Sequence, residues 1–215
     1  MLGHRAGVNK TADRILVQAT RLFAERGFDG TSVRAICEAA DANVNGVSYH
    51  FGGKKALYQA VINRWGDERL ASAQRALGAP PTDAEDFETR LLVFADETLA
   101  AHLAAPEPLI ILFAESSQKF RNCEPAAVER LSNQSSALLA FLKAAQEGDL
   151  LREGVNINLV TGGLFERLYS QVLHADSIEL FHGTSIKDPV YRRQWCRQII
   201  DLLLYGVARS PKESS

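Results

Sequence analysis

The segment TSVRAICEAADANVNGVSYHFGGK, which ends at Lys54, constrains the fold of this chain more than any other stretch. Its pattern predicts two short helices joined by a tight turn. Three residues of the first half follow the i, i+3, i+4 spacing of one apolar helix face: Val33, Ile36 and Cys37. Thr31 or Ser32 can supply the N-cap oxygen of this helix. The turn is expected at Asp41 to Asn43, and Asn43 can cap the second helix.

The second helix is predicted to bury little and to expose many polar groups. Val44 and Val47 form a narrow apolar edge, and four residues point outward: Asn45, Ser48, Tyr49 and His50. In a helix-turn-helix such a second helix enters the major groove of DNA. An ordinary helical hairpin with a solvated polar face fits the same spacing, so the flanking sequence has to decide between the two.

The flanks extend the pattern in one register. Its members are Ala19, Leu22-Phe23, Gly27-Phe28, Thr31-Ser32-Val33, Ile36-Cys37, Ala40, His50-Phe51, Lys54 and Leu57. Over residues 11–62 the chain therefore resembles the TetR family of bacterial transcriptional regulators. Beyond about residue 70 the resemblance is one of length and helical character only.

The resemblance implies an all-α fold of about nine helices. Residues 1–58 would form a three-helix DNA-binding head with a helix-turn-helix, and residues 59–215 a larger ligand-binding and dimerisation domain. The candidate DNA-binding residues are Thr31, Ser32, Arg34, Asn43, Asn45, Ser48, Tyr49, His50 and Lys54. We expect base contacts mostly from Asn45 and Tyr49, with Arg34 as a further candidate, and phosphate contacts from His50 and Lys54.

Two residues of the second helix depart from the family pattern. Ser48 occupies the usual tyrosine position, and Tyr49 follows one residue later. Gly46 lies within the predicted helix, where glycine costs about 0.5–1 kcal/mol relative to alanine. A close approach to a thymine methyl group or to the DNA backbone would explain it.

The apolar spacing predicts further helices and no sheet. Residues 1–9 are expected to be a flexible arm, and residues 78–82, with two consecutive prolines, a linker. The predicted helices cover about 11–26, 54–77, 83–105, 109–120, 125–147, 156–174 and 189–208, with an irregular stretch between the last two.

Composition is that of an ordinary globular protein, with 46% hydrophobic and 23% charged residues. The sequence offers no membrane-length apolar run and no signal peptide, so a cytoplasmic protein is expected. Residues 1–60 carry 8 Lys and Arg against 5 Asp and Glu, whereas the remainder is acidic. A mildly basic head suits DNA. Three scattered cysteines fit neither a disulfide framework nor a zinc site, and core packing is the expected role of Cys37.

The two C-terminal helices, Asn156–His174 and Pro189–Ala208, are unusually apolar. The final helix is apolar on more than one face, as expected of a helix buried on both sides. In the TetR family such helices form a four-helix dimer interface, so the resemblance implies a homodimer on a pseudo-palindromic operator. A monomer with a thick core is the alternative.

A ligand pocket in the body is also implied. Its candidate lining is Trp65, Phe94, Glu97, His102, Phe113, Ser117, Phe141 and Phe165, with His102 or Glu97 as the polar anchor. The same aromatic residues could equally form plain core. No metal spacing is present, and the expected effector is an unidentified small molecule rather than a cofactor.

These patterns predict a homodimeric repressor released from double-stranded DNA by a small molecule. The alternatives are an all-α enzyme and an interaction scaffold that does not bind DNA. The sequence contains no nucleophile–base spacing, glycine-rich phosphate loop or metal motif that would favour an enzyme.

Overall fold

The computed structural model describes the backbone of residues 2–207 and the side chains of residues 10–204. The described chain is all-α, as predicted, and contains ten helices. They are α1 (Leu2–Gly30), α2 (Val33–Ala39), α3 (Gly46–Phe51), α4 (Lys54–Leu77), α5 (Ala84–Ala104), α6 (Glu107–Ser117), α7 (Pro125–Glu147), α8 (Ile157–Leu173), α9 (Ala175–His182) and α10 (Pro189–Val207). None of them, taken alone, has the length and apolar content to cross a membrane, although one bent pair of consecutive helices, α5 with α6, meets both criteria.

The described residues form two compact units. The first contains the chain up to Asp67 together with Glu107–Leu131, and the second contains Glu68–Pro106 and the chain from Ser132 onward. Helices α4 and α7 contribute residues to both units. The predicted division at residue 58 separated DNA binding from ligand binding, and as a functional boundary it stays a prediction.

In the first unit, α1, α2 and α3 surround a core that includes Ile15, Ile36 and Val47, each fully buried. Gly27 interrupts α1 with φ 70° and ψ 175°. Only glycine adopts this conformation without cost, and the reversal returns Phe28 to the core. The rings of Phe23 and Phe28 lie 6.1 Å apart, and both contact Tyr58. Phe28 therefore packs beside Phe23 in this core.

A buried carboxylate is held within the same unit. Glu115 is only 3% exposed, and its Oε1 accepts hydrogen bonds from the Tyr58 hydroxyl at 2.7 Å and from Asn122 Nδ2 at 2.9 Å. Burial, and then these contacts with Glu115, raise the pKa of Tyr58 far above its usual value. Gln59 donates to the carbonyl of Asn122 at 2.7 Å and accepts from the Glu124 amide. Every buried polar group in this cluster therefore has a partner.

The second unit is built from α5, α8, α9 and α10 with parts of α4 and α7. Its core contains two ring pairs: Phe87 with Phe141, and Phe94 with Phe165. The predicted linker after α4 is pinned by Arg90, which donates to the carbonyls of Ala76, Ala79 and Pro80. The Arg90 guanidinium also lies 4.6 Å from the centroid of the Phe141 ring.

The structure corrects the predicted helices in three places. Helix α1 begins at Leu2 rather than after a flexible arm, since no proline interrupts the first residues. Helix α9 lies in the stretch predicted to be irregular. The prediction missed it because eight residues are too few to show a clear apolar period. Helix α6 ends at Ser117, as Lys119 and Phe120 both have positive φ. The predicted end at Ala208 lies outside the described residues.

Candidate nucleic-acid interface

Thr31 and Ser32, both predicted to contact DNA, have different positions at the start of α2. Ser32 is the N-cap, since its Oγ accepts a hydrogen bond from the Ala35 amide at 3.1 Å. Thr31 is 1% exposed, and its Oγ donates to the carbonyls of Leu22 and Gly27 at 3.0 and 2.8 Å. Thr31 was predicted to contact DNA, but its buried side chain is not available for such a contact. It closes the end of α1 instead.

The turn between α2 and α3 is held by side-chain contacts. Asp41 has φ 46°, a left-handed conformation that aspartate tolerates better than most residues. Arg14 Nη2 donates to the Asp41 carbonyl at 3.1 Å. Asn43 Oδ1 accepts from the Asn45 amide at 2.9 Å, so Asn43 shapes the turn, whereas the N-cap residue of α3 is Asn45.

Helix α3 has one buried residue and an exposed polar side. Val47 is completely buried, whereas Tyr49 is 76% exposed. The other exposed polar residues are Asn43, Asn45 and Ser48, while His50 is half-buried beside the Tyr49 ring at 4.9 Å. Val44, predicted to share the buried edge, is 55% exposed, because it precedes the helix and does not follow its period. The predicted base-reading residues Asn45 and Tyr49 therefore lie on the exposed side.

Gly46 has a structural explanation that the sequence did not suggest. It is the first residue of α3, and a Cβ at this position would lie 3.1 Å from Cδ1 of Ile15. This separation is shorter than an ordinary van der Waals contact. The absence of a side chain therefore lets α3 pack closely against α1. The prediction that Gly46 serves contact with DNA is replaced by this packing role.

A second polar feature lies between α3 and α4. Gly52 and Gly53 both have positive φ, at 82° and 129°, which glycine alone adopts readily. The Leu57 amide bonds to the carbonyl of Gly53. The amides of the three preceding residues, from Lys54 to Ala56, are therefore the donors at the start of α4 that lack a partner within the helix. Such a helix N-terminus attracts phosphate.

Two predicted cations already have protein partners. Arg34 Nε donates to Glu38 Oε1 at 2.8 Å in an exposed i, i+4 pair, which raises the pKa of Arg34. Lys54 Nζ lies 4.4 Å from the centroid of the Phe28 ring. Arg34 is exposed and Lys54 is half-buried, so contact with DNA would replace an exposed ion pair and a cation–π contact rather than a buried ion pair.

The eight candidate pocket residues do not belong to one compact unit. Trp65, Phe113 and Ser117 belong to the first unit, where Phe113 is 45% exposed and Ser117 is exposed. The other five belong to the second unit: Phe94, Glu97, His102, Phe141 and Phe165. Their role in ligand binding stays a prediction.

Within the second unit the aromatic members are packed core. Phe94, Phe141 and Phe165 are buried in ring contacts. Glu97 Oε2 accepts from Ser72 Oγ at 3.1 Å and lies 3.9 Å from Arg75 Nη2. The Glu97 carboxylate is thus half-exposed and engaged with α4, which does not suit the predicted role of a buried anchor. The described residues contain no cluster of His, Cys, Asp or Glu that could hold a metal ion.

Comparison with known proteins identifies the head. The model of the bacterial regulatory proteins of the tetR family matches residues 15–61, which include α2, α3 and the start of α4. The head, over residues 15–61, thus matches the TetR family. The matched segment contains the exposed polar side of α3 and the amides at the start of α4.

Two curated relatives differ in how far the similarity extends. The probable HTH-type transcriptional regulator YttP of Bacillus subtilis is 34% identical over 84 residues, so the match spans 41% of that relative's length. The HTH-type transcriptional repressor NicS of Pseudomonas putida is 24% identical over 204 residues, which cover 94% of each chain. Identity is thus higher over the shorter match and lower over the match that spans most of both chains.

Solved structures share the fold along most of the chain. A TetR family transcription regulator from Marinobacter aquaeolei superposes with a TM-score of 0.73 at 18% identity, covering 96% of this chain and 100% of the other. PfmR, a TetR family regulator of Thermus thermophilus, gives a TM-score of 0.68 at 21% identity, covering 92% and 97%. At these identities the likeness establishes the fold and no more.

Proposed function

We propose that this chain is a DNA-binding regulator of transcription, acting in the cytoplasm as a repressor. The proposal rests on the two contrasting sides of α3. Val47 is buried in the head, whereas Ser48, Tyr49 and the N-cap residue Asn45 are exposed. Such a short helix is held in place by its neighbours, and its exposed polar groups are available to a partner. Free amides and Lys54 at the start of α4 provide phosphate contacts beside it.

The regulator acts as a homodimer through α8 and α10. Leu159 of α8 is 74% exposed and Leu202 of α10 is 67% exposed. Both line one apolar groove of the second unit, together with Val160, Gly163, Leu164 and Ile199. A Cβ added to Gly162 or Gly163 would meet nothing, so the surface there is open to a second chain. Burying such leucines against a second copy would contribute about 1.5–3 kcal/mol each.

A small molecule bound by the second unit lowers the affinity for DNA. It does so only if it binds the state of low DNA affinity more tightly than the other, since equal affinity for both states shifts nothing. This property separates a regulator from a simple architectural DNA-binding protein.

The first test is fluorescence anisotropy of the full chain with a labelled duplex taken from upstream of its own gene. A shuffled duplex of equal composition is the control. Specific binding should exceed binding to the shuffled duplex and weaken steeply between about 50 and 200 mM salt. Equal affinity for a tiled set of upstream duplexes and for the shuffled duplex would contradict the proposed function.

A further inference from the structure

Arg69 is the residue in the second unit that the proposed function leaves unexplained. Its position in α4 is eight residues after Val61 and four after Trp65, which places it on the apolar face of that helix. Its guanidinium atoms Nε and Nη1 are both buried, and neither donates a hydrogen bond within the described chain. Sequence reasoning passed over this residue, although an arginine at an apolar helix position was the available signal.

The charge of Arg69 acts on two aromatic side chains, His102 and Tyr169. The rings of His102 and Tyr169 lie 5.4 Å apart, and Tyr169 contacts Phe165 at the same distance. Burial, assisted by the nearby Arg69 charge, lowers the pKa of His102 to about 3. Burial also raises the pKa of Tyr169, although Arg69 opposes that shift. Both rings are therefore uncharged at neutral pH, and neither neutralises the arginine.

Two other charged residues influence Arg69. The acidic one is its exposed neighbour Glu68, which raises the pKa of Arg69, and the cationic one, Arg75, lowers it. Burial is the main reason that the pKa of Arg69 is lowered. A guanidinium nevertheless stays protonated in a protein, so two buried donors of a positively charged group are left without a hydrogen-bond partner within the described chain.

Buried guanidinium donors without a partner are costly, and a bound anion would satisfy them. We propose that the second unit binds a monoanionic small molecule, a carboxylate on an apolar body, with its charge at Arg69. Its apolar body would lie against Tyr169. One arginine among aromatic rings suits a single negative charge, whereas a dianionic phosphate would require more donors. This inference rests on the proposed ligand response and names the chemical class of its effector.

The assignment changes the role expected of the two predicted anchors. Glu97 would repel such a ligand and is already bonded to Ser72. His102 supplies an uncharged ring beside the arginine rather than the charged anchor. Arg69 then takes the anchoring role that the sequence had given to Glu97 or His102.

The test uses isothermal titration calorimetry of the full chain without DNA. The probes are benzoate, phenylacetate, indole-3-acetate and octanoate, each compared with its own primary amide. We expect at least one carboxylate to bind about tenfold or more tightly than its amide, as expected for a charged hydrogen bond. Arg69→Met should abolish that preference, and Arg75→Met, a more exposed arginine of the same helix, should retain it. No preference for any carboxylate, or a preference that survives in Arg69→Met, would overturn the inference.

Thermal unfolding of the ligand-free variants gives a second readout. Arg69→Met removes two buried donors that lack a hydrogen-bond partner, so its midpoint should rise, while that of Arg75→Met should stay close to the original value. A lower midpoint for Arg69→Met would mean that the arginine serves the fold, and would count against a ligand role. Repeating the anisotropy titration with a bound carboxylate separates the two proposals. Carboxylate binding that leaves DNA affinity unchanged would retain the site and refute the proposed ligand response.

Discussion

The two compact units differ in both their surfaces and their interiors. The first unit exposes polar groups on α3 and satisfies its buried carboxylate, Glu115, through Tyr58 and Asn122. The second unit exposes leucines on α8 and α10 and leaves two nitrogens of Arg69 without a hydrogen bond. A surface of polar groups suits a hydrated, charged partner, while exposed leucines suit a second apolar surface.

The difference shows what each unit needs from outside itself. The first unit holds its buried carboxylate, Glu115, with donors of its own, although one buried oxygen there, Asn63 Oδ1, has no hydrogen-bond partner. The second unit leaves buried atoms of Arg69 and Gln171 without a hydrogen bond, and those of Arg69 belong to a charged group. We therefore expect the second unit to respond to two partners, a second copy and a small anion.

The largest effect is expected from substitutions that disrupt the apolar surface of the second unit. Replacing Leu159 and Leu202 together with arginine should give a monomer, because two charges would have to be buried at the proposed interface. A monomer contacts one half-site, so DNA affinity should fall more than about 100-fold. Sedimentation and anisotropy measure the two effects. Leu180→Arg, at an exposed leucine outside α8 and α10, is the matched control, and a double variant that remains dimeric would refute the assignment of the interface.

The next effect tests the polar surface of the first unit. Tyr49→Ala should weaken binding to the preferred operator by about 10- to 100-fold and change the ranking of operator variants, as expected for a lost base contact. Val44→Ala, at another exposed residue just before α3, should leave the ranking unchanged. An equal loss on every duplex would show that Tyr49 contacts the backbone rather than the bases. Competition binding to a library of single-base variants provides the ranking.

Lowering the pH should reduce the free energy of unfolding through His102, in the interior of the second unit. His102 has a folded pKa of about 3, below its ordinary value of 6.5, so folding favours the neutral ring. The stability this provides is complete above pH 6.5 and is lost as the pH falls towards 3, at up to about 1.4 kcal/mol per pH unit. Urea unfolding of His102→Gln should depend less on pH across this range than that of the unsubstituted chain. His182→Gln, at an exposed histidine of α9, should show the original dependence.

The smallest effect separates phosphate contact from base reading. Lys54→Ala should weaken binding to all duplexes by a similar factor, about five- to tenfold, and reduce the salt slope by about one. Removing the cation from the Phe28 ring costs at most about 1 kcal/mol of stability, so the head should remain folded. A Lys54→Ala variant with changed sequence preference would contradict a purely phosphate role. Lys54→Arg should restore most of the affinity.

The sequence predicted the fold well wherever a local rule was sufficient. Ser32 caps α2, as one of the two predicted candidates, and α5 and α8 begin directly after Asp83 and Asn156, where their starts were predicted. Predictions failed where the deciding contact lay outside the local pattern of the helix concerned. The buried position of Thr31 follows from carbonyls at the end of α1, and the small size of Gly46 follows from Ile15, some thirty residues earlier.

The candidate sites likewise include one part that a local rule predicts and one part that it does not. The exposed side of α3 could be predicted because a helix of known register determines which residues share a face. The pocket residues could not be predicted in this way, because an aromatic side chain on an apolar face looks the same in a packed core and in a ligand site. Arg69 became informative only when the structure showed that its buried nitrogens lacked a partner.

The contact between Gly46 and Ile15 has a practical consequence for retargeting this protein to new operators. The anchoring positions of α3, Gly46 and Val47, are distinct from the exposed positions Asn45, Ser48 and Tyr49. A combinatorial library can therefore randomise the three exposed positions while leaving the anchor untouched. Such a library would explore recognition at little expense in foldability, whereas a side chain at position 46 would require Ile15 to shift.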